Sequence, residues 1–171
     1  AAGQLKTGLV EFDEVETFEH TRLKPLSVAV AIREKTGEII EAQVATMNCK
    51  GSLAKISQFK YGWRQDTREA AREDVLRIVN KCSREKITIR SDAQGRYAPL
   101  VKRWVPHAKY EQVKSQRVRQ SESISRRNVN DRMFRMNLTA AKLRHDLSRM
   151  ARRVWVTTKE MARLQAHLDL Y

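Results

Sequence analysis

The sequence predicts an α/β fold in one domain, a mixed five-stranded sheet flanked by helices. Three observations carry this: three strand-like runs before residue 47, an amphipathic helical pattern over 66–82, and a strand, helix and strand in succession from Lys86 to Val113. At 171 residues the chain suits one core better than two. Lys and Arg number 34 against 20 Asp and Glu, a net charge of +14, which implies a polyanionic partner. The charge is uneven. Residues 1–91 hold 16 basic and 13 acidic side chains, and residues 92–171 hold 18 and 7, so the later half carries most of the excess. No run is apolar enough for a membrane span, and the first residues lack the apolar centre of a signal peptide. Cys49 and Cys82 stand alone without metal-ligand spacing, so two buried thiols are expected.

Residues 8–18, GLVEFDEVETF, alternate as a strand with an acidic centre, with Leu9, Glu11, Asp13 and Val15 on one side and Val10, Phe12 and Glu14 on the other. LSVAVAI (26–32) and IIEAQVATM (39–47) read as a hairpin turning near Gly37. Residues 47–65 lack a period and mix Lys50, Lys55, Lys60 and Arg64 with Phe59, Tyr61 and Trp63, as a basic aromatic loop or short helix does. Asp66 and Glu69 form a capping box, and Ala71, Val75, Ile78, Val79 and Cys82 share the following helix's inner face. Ile87 and Ile89 alternate in a short strand that ends at Asp92. YAPLVKRWVPH gives a helix stopped by Pro106, and AKYEQV a fifth strand. Residues 114–130 are polar, Ser- and Arg-rich, and read as a mobile basic connector. From Asn137, apolar residues at Leu143, Leu147, Met150, Ala151 and Val154 predict a long basic C-terminal helical segment. Thr157 and Glu160 then open a last helix, with Met161, Leu164 and Leu168 inward.

Asp92 at the end of its strand is either a turn former or a site residue, and by itself favours the turn. The element order, with one carboxylate in the first strand and another ending the fourth, matches a ribonuclease H-like fold. The stretches DEVETFEHTRLKPLSVAVAI, SDAQGRYAPLVKRWVP and NDRMFRMNLTAAKLRHDLSRMARRVWVTTKEMARLQAHLDLY resemble bacterial insertion-sequence transposases of the DDE/DDD type, from about Val10 onward. The third block is the most specific. The resemblance implies a catalytic domain that cuts and rejoins DNA at element ends with two Mg²⁺ (Mn²⁺ also serving), held by Asp13, Asp92 and Asp131. In-line attack on a phosphodiester uses two hard cations about 4 Å apart, for which carboxylates are the natural ligands. Asp131 is favoured over Asp146, whose Arg144, Arg149 and Arg153 neighbours suit a solvated ion-pair face; many relatives carry Glu at the third position. Glu16 is a candidate further metal neighbour, although acids in this first strand are better read as charges that discourage edge pairing. His20 is left outside the set.

Phosphate contacts are expected from Lys60, Arg64, Arg96, Lys102, Arg103, Arg117, Arg119, Arg126, Arg127, Arg144, Arg149 and Arg152. Of the tryptophans, Trp104 and Trp155 are expected in the core, and base stacking is open to all three, Trp63 included. The implied partners are double-stranded DNA and further copies of the chain in a homo-oligomer, in a bacterial cytoplasm at the nucleoid. The resemblance also implies a longer protein with an amino-terminal end-recognition domain. Two rivals stand beside this: a nuclease of the same fold that cleaves without joining, and a non-catalytic basic nucleic-acid binder.

Overall fold

The computed structural model describes residues 8–83, 86–114, 131–150 and 158–171. Five strands, β1 (Leu9–Phe18), β2 (Pro25–Arg33), β3 (Ile39–Thr46), β4 (Thr88–Asp92) and β5 (Lys109–Val113), form one sheet in the order β3-β2-β1-β4-β5. The first three pair antiparallel, while β4 runs parallel to β1 and β5 parallel to β4. The expected mixed five-stranded sheet flanked by helices is present. Antiparallel neighbours need only tight turns, and Gly37 supplies one at φ +76°, its amide donating to the Arg33 carbonyl. Parallel neighbours need crossovers. Helix α2 (Arg68–Cys82) and helix α3 (Tyr97–Trp104) provide them.

Period-two alternation in β1 divides its side chains between two cores. Val10 and Phe12 join Ala29, Ala31, Val75, Leu76, Val79, Tyr97 and Val101 under α2 and α3. Val15 joins Val28, Val30, Ile32 and Val44 under α4 (Phe134–Asp146) and α5 (Met161–Leu170). Because both faces are covered, β2 is buried at seven consecutive positions, which explains its unbroken small and β-branched run. Edge strand β3 is blocked by α5: Gln165 accepts from the Val44 amide at 2.8 Å and donates to the Ala42 carbonyl at 2.8 Å.

Residues 47–65 bear out the short-helix alternative, with a 3₁₀ turn (Gly51–Leu53) and helix α1 (Ala54–Tyr61). Other expectations are corrected. Helix α2 starts one residue later than its capping box implies, because both Asp66 oxygens engage Arg68. The one long basic helix is interrupted. Helix α4 ends at Asp146, Leu147 is extended (φ −96°, ψ 102°), and a 3₁₀ turn carries Met150 into the second core. Burying Met150 outweighs continuing the helical period. Met161 is exposed, leaving Leu164 and Leu168 as the buried contacts of α5. Both cysteines are half-buried free thiols. Strand β1 is central, so repelling an edge partner does not explain its acids. The connector residues 115–130, Ala151, Val154, Trp155 and Thr157 lie outside the described residues.

Candidate active site

The parallel register of β1 and β4 runs from Leu9↔Thr88 to Phe12↔Ser91. Its next step sets Asp13 against Asp92 on one face, on strands about 4.8 Å apart. Both side chains are half-buried. The Asp92 Oδ1 also accepts from the Gln94 amide at 3.1 Å, so this residue is turn former and site residue together. Burial, and to a lesser degree the charges of Asp92 and Glu14, push the Asp13 carboxyl up to about 6; the Glu14 amide, 2.7 Å from Oδ1, and the Arg144 guanidinium oppose the shift.

The other acids of β1 have separate partners. Glu11, on the Asp13 side and 1 % exposed, accepts from the Met136 amide at 2.7 Å and lies 3.7 Å from Arg90. Burial raises its pKa. Glu14, on the opposite face, accepts from Arg72 at 2.7 Å, the Tyr97 hydroxyl at 3.0 Å and the Ser27 hydroxyl at 2.8 Å. Burial and the carboxylates of Glu14, Asp13 and Asp92 hold the Tyr97 phenol far above its usual range, so it stays a donor. This network braces the strand and the first turn of α3 behind the aspartate pair. Glu19 binds Lys24 and Arg64, and Glu16 is exposed.

Asp131 is not brought to the pair. It holds the turn into α4, accepting from the Met133 amide at 2.9 Å and the Asn137 side chain at 2.7 Å, and its charge acts on Glu11. Among the described residues, no three His, Cys, Asp or Glu side chains form a group able to hold a metal ion. Asp146 is bonded to His145 and accepts from the Tyr171 hydroxyl.

The predicted basic contacts divide by exposure. Lys60, Arg96, Lys102 and Arg103 are exposed. Arg64 is half-buried and reaches Glu19 at 2.6 Å and the Pro25 carbonyl at 3.0 Å, an internal ion pair. Arg144 is half-buried on α4 beside the Asp13 charge, and Arg149 donates to His167 at 3.3 Å. Arg117, Arg119, Arg126, Arg127 and Arg152 lie outside the described residues. Trp104 is half-buried against the first core, flanked by Arg77 at 4.1 Å and Arg103 at 5.1 Å. Missed in the sequence were the burial of Glu11 and the Glu14–Arg72–Tyr97 network, whose members come from three distant segments. The alternation placing Glu11 beside Asp13 was the one local signal. Neither the family models, the curated proteins nor the solved structures compared with this chain give a match.

Proposed function

We propose that the chain is the ribonuclease H-like catalytic domain of a DNA transposase, carrying out metal-dependent phosphodiester cleavage and strand transfer. The observation that carries this reading is the Asp13–Asp92 pair, set side by side by the β1/β4 register where the antiparallel half of the sheet meets the parallel half. The strand order and the resemblance of the three sequence blocks support it. Two half-buried carboxylates that repel one another, one of them raised to about 6, are a donor set completed by a hard divalent cation. Asp13 and Asp92 fit Mg²⁺ or Mn²⁺, which when bound supplies nucleophile activation and leaving-group stabilisation.

In this reading Asp13 and Asp92 hold the metal, the Glu14 network keeps β1 and the start of α3 in register, and exposed Arg96, Lys102 and Arg103 take DNA phosphates. Asp131, whose oxygens each keep a lone pair beside their bonds from Met133 and Asn137, serves as the third carboxylate if the start of α4 shifts toward the pair. Duplex DNA is the substrate and a second copy of the chain the expected partner in the active complex. Cleavage without joining is the second reading, since the aspartate pair supports hydrolysis equally.

The test is nicking and strand transfer on labelled duplex DNA with Mg²⁺ or Mn²⁺. Asp13→Asn and Asp92→Asn are each expected to lose cleavage by about 10³-fold or more while retaining DNA binding, in keeping with charge stabilisation of the transition state. Wild-type cutting by both variants sinks the proposal. Cleavage without transfer selects the nuclease.

A further inference from the structure

Helix α1 is built inside out. Its one buried residue is Ser57, whose hydroxyl donates to the Leu23 carbonyl at 2.6 Å, whereas Ile56 is 52 % and Phe59 95 % exposed. Trp63, just beyond the helix, is 76 % exposed. An isolated exposed apolar side chain is ordinary, but three within eight positions of a polar-anchored helix and its exit make a patch. The anchoring is firm. Arg64 ties the exit to Glu19, the Pro25 carbonyl and, through its amide, Asn48, while the Tyr61 ring meets His20 edge-on at 5.9 Å with Lys24 5.6 Å from its centre.

Charge selects the occupant. Residues 47–65 contain Lys50, Lys55, Lys60 and Arg64 and no acidic residue. With Arg64 consumed internally, Lys50, Lys55 and Lys60 are exposed on the same stretch as the aromatic side chains, and Lys60 lies 5.6 Å from the Tyr61 ring centre. Aromatic faces interleaved with lysines suit a strand whose bases are unstacked and whose backbone is anionic, whereas paired bases offer no free face to a surface side chain. Position agrees. Helix α1 is anchored on the turn that follows β1, beyond the same carboxyl ends toward which Asp92 closes β4. Asp13 lies five residues before Phe18, about 16 Å at strand rise.

We propose that Phe59 and Trp63, framed by Lys50, Lys55 and Lys60, form a stacking platform for an unpaired nucleic-acid strand. The inference rests on the reading that this chain handles DNA, and adds a single-strand site apart from the aspartate pair. It is tested by fluorescence anisotropy with a labelled oligothymidine of about a dozen residues and a duplex of equal length, a span that covers one typical single-strand site. Phe59→Ala and Trp63→Ala are each expected to weaken oligothymidine binding about 5- to 100-fold, as loss of one base–aromatic stack does, with duplex affinity nearly unchanged. Lys55→Ala and Lys60→Ala should each lower the single-strand salt slope by about 0.7.

Both aromatics are exposed, so their truncation opens no cavity. Unchanged oligothymidine affinity in the Phe59→Ala, Trp63→Ala double variant overturns the platform. So does sedimentation showing that the double variant dissociates a dimer while still binding oligothymidine normally, which assigns the patch to a second copy. The readout needs no cleavage: failure of the Asp13 and Asp92 variants to lose nicking removes the catalytic reading and leaves the binding result standing.

Discussion

Asp13 is held where its charge is costly without a cation. Its carboxyl titrates near 6 in the folded chain against an ordinary value of 3.8. Between those values the folded state binds more protons than the unfolded state, so the contribution of this group to stability falls as pH rises and is lost above about 6. Asp13→Asn is therefore expected to stabilise the metal-free protein at pH 7.5, by up to about 3 kcal/mol, with the advantage shrinking toward zero below pH 4. Urea unfolding in EDTA at the two pH values measures it, and equal stability at pH 7.5 refutes it. The same side chain shows where sequence reading stops. Alternation put Asp13 and Glu11 on one face of β1, but the fate of Glu11 depends on an amide 125 residues away, which no local period encodes.

At the scale of elements, apolar period located β1 to β4 and α2 because each buries one face or two, whereas α3 was marked by the stop at Pro106 and β5 is only half-buried. The period failed where a tertiary contact redirected the chain. Leu147 lies in phase with Leu143, yet α4 stops there so that Met150 reaches the second core. Helix α1 had no period to read, since its buried side is a serine and its apolar side faces solvent. Asp131 was legible as an acid near a helix start, but not as the acceptor for Met133 and Asn137 that shapes that start. Asp131→Ala should lower unfolding free energy by about 1 kcal/mol, the net worth of such hydrogen bonds, and Asp131→Asn by less because an amide oxygen still accepts. Urea titration ranks them; equal loss in both attributes the effect to the charge instead.

For the molecule as a whole, the succession of elements was readable from local pattern, whereas the adjacency of β4 to β1 was expected only through the resemblance to the ribonuclease H-like fold. That adjacency needs the long crossover through α2 from β3 to the far side of β1, and it brings Asp92 to Asp13. Net charge was equally legible and equally incomplete: +14 implies a polyanion without saying which cations face it. The structure divides them. Arg96 is exposed in the turn after β4 and Lys102 and Arg103 in the last turn of α3, whereas Arg64 is internal. If exposed cations displace condensed counterions from duplex DNA, replacing Arg96, Lys102 and Arg103 together by Ala should flatten the slope of log affinity against log salt by about 2.7, near 0.9 per phosphate contact. Arg64→Ala should leave that slope unchanged and lower the thermal midpoint, because Glu19 then keeps only Lys24 as a partner in a buried site. A slope that falls with Arg64→Ala and holds in the triple variant would reverse the assignment and make Arg64 the phosphate contact.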